Sequence, residues 1–169
     1  MPRIWKKGRG KLGFLQPLLG QWLAETESPI GPMRCSRIFE EVLGGSYIRL
    51  QARWEMASAT AREQLPESYK SRGPYEEIAI IGVGDDGEVC FWSFTSDGKH
   101  SQGAVADVSD LHPEAIGFEA QMPAGLARMA YWPDENGGFI WVVESKNAKG
   151  WRRFTEHHYH PLPSSAKLK

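Results

Sequence analysis

"SYIRLQARWEM", residues 46–56, alternates apolar and polar side chains with the period of two that a β-strand requires. Ile48, Leu50, Ala52, Trp54 and Met56 fall on one face of the predicted strand, and the polar residues between them fall on the other. A strand of an antiparallel sheet commonly packs one face on a core and exposes the other to water. We therefore expect the apolar set to point into the protein.

Short alternating runs of this type repeat along most of the chain and are separated by turn-forming residues. Breakers such as GG at 44–45, DDG at 85–87 and DENGG at 134–138 suit tight turns. Short connections make neighbours in sequence neighbours in the sheet, and closure removes the exposed edges of a meander. The sequence thus predicts an all-β fold, a single antiparallel up-and-down β-barrel of about ten strands. The predicted strands cover residues 21–27, 33–43, 46–56, 75–83, 88–95, 100–107, 115–122, 126–132, 139–145 and 151–159.

A chain of 169 residues has the size of one domain. We expect a basic, flexible N-terminal tail over residues 1–12, one barrel domain over 13–163 and a C-terminal tail over 164–169. The segment GFLQPLLG, residues 13–20, is predicted to form a short helix that plugs one barrel end. The long connection at 57–74 is predicted to hold one or two helical turns and a flexible lid.

Composition and charge argue against several classes of function. A formal net charge of −1 argues against a general nucleic-acid binder, which needs a basic surface. Apolar runs are too short for a membrane-spanning helix, and the N-terminus lacks the apolar segment of a secretory signal, so we expect a cytoplasmic protein. Cys35 and Cys90 lie far apart in apolar runs and are predicted to be buried free thiols.

The triplet Gly20-Gln21-Trp22 at the head of the first predicted strand, with Arg152 or Arg153 on the last, resembles the calycin superfamily of lipocalins and fatty-acid-binding proteins. In that family the tryptophan packs across the closed barrel end and the late arginine packs on it. The stretches VLGGSYIRL at 42–50, WSFTSDGK at 92–99 and GWRRFTEHHYHP at 150–161 extend the resemblance to bacterial lipocalin-like domains without an assigned function. The resemblance implies a calycin-like barrel with a small-molecule ligand.

The segment EHHYH, residues 156–160, is the most suggestive cluster for chemistry. Alternation puts Glu156, His158 and His160 on one strand face, and His157 and Tyr159 on the other. His158 or His160 could ligate haem iron, as one histidine does in the nitrobindins, which are calycin relatives. Glu156 and His158 could instead form an acid–base pair in an enzyme. The simpler interpretation is that these histidines are exposed to water and paired with carboxylates.

Several predicted strands carry a large aromatic residue, so their side chains can converge on one pocket. The predicted site residues are Trp54, Trp92, Phe94, Tyr131 and Trp141 as walls and His158 as a polar anchor. Arg34, Arg37, Arg49 and Arg53 are predicted to be exposed, and they could bind a carboxylate if they faced a cavity. We expect non-catalytic binding of a small, largely apolar molecule inside the barrel. A haem protein with redox or isomerase activity, an enzyme, and a filled barrel that serves as a structural or homodimerisation module are the alternatives.

Overall fold

The computed structural model describes residues 5–70 and 73–163. Ten antiparallel strands form a closed barrel in which each strand pairs with its sequence neighbour and the last returns to the first. The fold expected from the sequence is thereby confirmed. The strands are β1 (Gly20–Ser28), β2 (Gly31–Val42), β3 (Tyr47–Met56), β4 (Tyr75–Val83), β5 (Val89–Thr95), β6 (His100–Ala106), β7 (Ile116–Met122), β8 (Gly125–Pro133), β9 (Phe139–Asn147) and β10 (Gly150–Pro161).

One barrel end is sealed where β1 begins and β10 ends. The segment Gly13–Leu18 forms a 3₁₀ turn there, and Leu15 and Leu18 are fully buried. Trp22 packs beneath this turn, and its indole Nε1 donates a 2.7 Å hydrogen bond to the Leu18 carbonyl oxygen. Gly20 has φ +125°, a left-handed conformation that favours glycine. The predicted plug is therefore present, as a 3₁₀ turn.

The part of the predicted N-terminal tail that the structure describes packs on the barrel. Trp5 and Leu12 lie against the core, and Trp5 Nε1 donates to the Glu114 carbonyl oxygen at 3.3 Å. Lys11 Nζ donates to the Gly87 carbonyl oxygen at 2.7 Å. These contacts involve Trp5, Lys11 and Leu12, and the flexibility expected for the tail stays a prediction. Residues 1–4 and the predicted C-terminal tail, 164–169, lie outside the described residues.

The opposite barrel end is bordered by the connection between β3 and β4. It contains two short helices, α1 (Ala59–Glu63) and α2 (Glu67–Lys70), as the sequence predicted. Ser58 caps α1, since its hydroxyl accepts a hydrogen bond from the Ala61 N–H. None of the helices within residues 5–70 and 73–163 is long and apolar enough to cross a membrane.

Part of the barrel exterior is also apolar and is covered by the chain itself. The loop between β6 and β7 places Val108 and Leu111 against Ala130 and Val142 on the outer faces of β8 and β9. This packing explains why β9 is apolar on both faces. The predicted burial of the free thiols of Cys35 and Cys90 is confirmed.

Candidate functional site

A cleft of about 840 Å³ opens at the barrel end that α1 and α2 border. Its walls come from the ends of β2, β3 and β4, from the two helices and from the turn between β5 and β6. Its lining contains both apolar and charged side chains. The lining includes Ile30, Met33, Arg34, Trp54, Glu55, Met56, Arg62, Leu65, Tyr69, Lys70, Pro74, Tyr75 and Asp97.

Trp54 forms the floor of this cleft and connects it with the barrel interior. Its ring centre lies 5.1 Å from that of Tyr75, which also lines the cleft. On the other side it lies 6.3 Å from the ring centre of Trp141, which is buried. The inward direction expected for Trp54 from the alternation of β3 is the direction the structure shows, since Ile48, Leu50 and Ala52 belong to the core.

Beneath the floor lies a fully buried arginine, Arg37, held by aromatic side chains. Its Cζ lies 3.9 Å from the ring centre of Trp141 and 5.6 Å from that of Trp54. Its Nε donates to the Tyr159 hydroxyl at 3.2 Å, and one Nη donates to the Tyr131 hydroxyl at 3.0 Å. Arg37 forms no ion pair within the residues that the structure describes. Phenol oxygens and π faces are therefore the direct contacts of this guanidinium, in place of a paired carboxylate.

Burial by itself disfavours the charged form of Arg37, but Tyr131, Tyr159 and the carboxylate of Glu77 raise its pKa above the ordinary value. The guanidinium therefore remains charged. Burial also raises the pKa of Tyr131, and it raises the pKa of Tyr159 to about 12, so both phenols stay neutral. The buried Trp141 Nε1 lies close enough to Tyr131 to lower the pKa of that phenol, but it has no acceptor of hydrogen-bond geometry among the described residues.

His157 is the histidine that faces the interior. Its Nδ1 lies 3.3 Å from the Tyr159 hydroxyl, and its ring centre lies 5.1 Å from that of Trp141. Burial, together with the positive charge of Arg37, lowers the pKa of His157 from 6.5 to about 4. The imidazole is thus neutral at pH 7 and serves as a polar wall of the Arg37 cluster.

Removing His157 is expected to make stability less dependent on pH. Because the unfolded chain takes up a proton near pH 6.5 and the folded chain only near pH 4, this group destabilises the fold as the pH falls through that window. Between pH 7 and pH 4.5, the free energy of unfolding of His157→Gln should fall by roughly 2 kcal/mol less than that of the wild type. Urea unfolding between pH 4.5 and 7 measures this, with the exposed His158→Gln as control. Parallel pH profiles for all three proteins would contradict a neutral, buried His157.

The predicted site residues divide between the two faces of the barrel wall. Trp54, Tyr131 and Trp141 lie inside, whereas Trp92 and Phe94 lie on the outer face of β5, and Phe94 is 58% exposed. Expecting those two residues to be pocket walls was wrong. β5 is apolar on both faces, and Val89, Phe91 and Ser93 are the residues that turn inward. This exterior is the face to which the homodimer prediction applies.

His158 also lies outside, so its expected role as an interior anchor is corrected. Its Nε2 lies 2.9 Å from a carboxylate oxygen of Glu156, and both side chains are largely exposed. His160 is exposed on the same face, so neither it nor His158 can ligate haem inside the barrel. Among the residues that the structure describes, no group of three or more His, Cys, Asp and Glu side chains is placed to hold a metal ion.

The late arginines do not pack on Trp22 as the resemblance implies. Arg152 and Arg153 lie near the start of β10, whereas Trp22 pairs with Pro161 at its end. Arg153 instead lies over Trp132, with Cζ 5.6 Å from the ring centre, and donates to carboxylates. Trp22 packs against Phe139, whose ring centre is 4.6 Å away.

Sequence reasoning missed Arg37 and His157, two buried polar residues of the barrel interior. The expected exposure of Arg37 was wrong because Arg37 shares its strand face with Cys35 and Phe39, which are buried. The alternation of β2 therefore already indicated that Arg37 points inward. His157 alternates with Tyr159 in the same way, but the pattern of β10 did not say which face is inside.

No family model and no curated protein matches the chain. Among solved structures, a de novo designed fluorescence-activating β-barrel is similar, with 18% sequence identity and a TM-score of 0.41. The similarity covers 72% of this chain and 95% of the designed one. At this level the likeness carries no information on function.

Proposed function

We propose that this protein binds a small, flat, largely apolar molecule at the open mouth of its barrel and does not transform it. The observation that carries the proposal is the 840 Å³ cleft whose floor is the indole of Trp54. Small-molecule sites are concave, mostly apolar and of roughly 300–1,000 Å³. A flat ligand resting on this floor would bury apolar surface at about 25 cal/mol per Å².

The packing beneath Trp54 supports binding at the mouth rather than in the barrel centre. Trp141, Tyr131 and Tyr159 are buried around Arg37, and Phe39 and Phe139 fill the interior below them. The floor therefore rests on packed side chains, which limits how much it must reorganise when a ligand binds. This placement moves the proposed ligand from the centre expected from sequence to the mouth.

Calycin membership is part of the proposal. Gly20 and Trp22 at the head of β1, together with the sealed end above Trp22, support it. The position of Arg153 over Trp132 departs from the family pattern. The haem and acid–base alternatives lose support because His158, His160 and Glu156 lie on the outer face.

The decisive residue for binding is Trp54. Trp54→Leu keeps an apolar side chain but removes the flat floor, so we expect it to weaken binding of the neutral probe N-phenyl-1-naphthylamine by about tenfold, the upper end for one aromatic contact. Probe fluorescence titrations measure the dissociation constant. Phe94→Leu, on the exposed outer face, is the matched control and should leave binding unchanged. Binding that depends on Phe94 and not on Trp54 would place the apolar site on the barrel exterior and refute the proposal.

A further inference from the structure

Among the described residues, some charged side chains of the mouth cleft already have an ion-pair or hydrogen-bond partner, and others do not. Its acidic side chains are already engaged: Glu55 forms an ion pair with Arg53 at 3.3 Å, and Asp97 accepts hydrogen bonds from the Thr95 hydroxyl at 2.5 Å and the Lys99 N–H at 3.2 Å. One of its cations, Lys70, is paired with Glu67 at 3.0 Å. Within the described part of the lining, these pairs leave Arg34 and Arg62 to account for.

Arg34 and Arg62 line the cleft and, within residues 5–70 and 73–163, form neither an ion pair nor a side-chain hydrogen bond. Their freedom is notable for Arg34, because Glu25 and Glu55 are its cross-strand neighbours on β1 and β3. Arg34 alternates with the buried Cys35 and therefore lies on the outward side of β2, at the rim of the cleft, and among the described residues its guanidinium has no carboxylate oxygen within 4 Å. Arg62 reaches the same cleft from α1.

We infer that the molecule bound at the mouth is an amphipathic organic anion, whose apolar body rests on Trp54 and whose negative group is bound by Arg34 and Arg62. The inference rests on the proposed function and specifies its ligand class. Guanidinium groups bind planar or tetrahedral oxyanions through charge-assisted hydrogen bonds.

Two probes with the same rings separate the charge from the apolar contact. N-phenyl-1-naphthylamine is neutral, and 8-anilinonaphthalene-1-sulfonate carries a sulfonate on the same anilinonaphthalene frame. For the wild-type chain at low ionic strength we expect the sulfonate to bind roughly 25-fold more tightly, with each exposed arginine contributing roughly fivefold. This preference should shrink in high salt, because exposed charges are screened.

The double variant Arg34→Gln, Arg62→Gln should lose this preference and keep its affinity for the neutral probe. Arg9→Gln, an exposed arginine at the sealed end, is the matched control and should behave as wild type. If both probes bind through Trp54 with equal affinity, or if the double variant keeps the preference, the charge inference is wrong and the proposed function stands. If neither probe binds, or if binding ignores Trp54, both are overturned.

Discussion

Trp22→Ala is expected to lower the free energy of unfolding by roughly 3–5 kcal/mol, the cost of removing a large aromatic side chain from a packed core. The indole is only 1% exposed, and the variant loses three contacts together: the hydrogen bond to the Leu18 carbonyl oxygen, the edge-to-face packing on Phe139 and the support of the 3₁₀ turn. The cavity lies at the sealed end, where Leu15 and Leu18 are also fully buried. Because the surrounding side chains are buried and packed, they can move little to fill this cavity.

Urea unfolding monitored by circular dichroism measures this loss. Trp92→Ala is the matched control, because it removes the same side chain from the outer face of β5, where Trp92 is half-buried. We expect roughly 1 kcal/mol for the control, in line with partial burial. Equal losses for the two variants would show that the sealed end is not a packed core. The sealed end lies away from the mouth cleft, so the folded Trp22→Ala protein should still bind the neutral probe.

Glu144→Gln is expected to cost about 3 kcal/mol, because it breaks a buried ion-pair network. Glu144 accepts hydrogen bonds from Arg128 and Arg153, with Arg128 Nε and Arg153 Nε each 2.9 Å from a carboxylate oxygen. Arg128 is itself 5% exposed and stacks on Trp151, with Cζ 4.2 Å from the ring centre. The variant leaves a buried guanidinium with Asp110 as its remaining carboxylate partner.

Glu156→Gln tests whether burial, rather than the number of ion pairs, sets this cost. Glu156 also binds Arg153, at 2.7 Å, but it is exposed, so its loss should be below about 1 kcal/mol. The Glu144 effect should persist in high salt, whereas the Glu156 effect should fall, because only the exposed pair is well screened. Equal costs that vanish together in salt would mean that Glu144 is accessible to water.

The barrel fold could be predicted from local sequence patterns. The alternation of "SYIRLQARWEM" assigned β3 and its inward face, and the turn residues between short runs gave the order of ten strands. Both signals are local, since alternation follows from the strand period and turns follow from the backbone freedom of glycine and asparagine. The plug before β1 and the helical turns between β3 and β4 were visible in the same way.

The candidate site was only partly predictable. Trp54 was identified because it sits on a strand with one clear apolar face, whereas Trp92 and Phe94 sit on a strand that is apolar on both faces. A two-sided strand cannot report which face meets the core. The outward direction of Trp92 and Phe94 depends on how β5 pairs with β4 and β6.

The sequence by itself determined an all-β meander, its strand order and the apolar face of its clearest strands, because these follow from periodicity and turn chemistry. Only the tertiary structure decided that Arg37 and His157 lie inside, that His158 lies outside, and that the open cleft is at the mouth. The physical reason is that the environment of a polar side chain depends on distant partners. Arg37 is buried because Tyr131, Trp141 and Tyr159, which lie far away in the sequence, supply the acceptors and π faces that replace water.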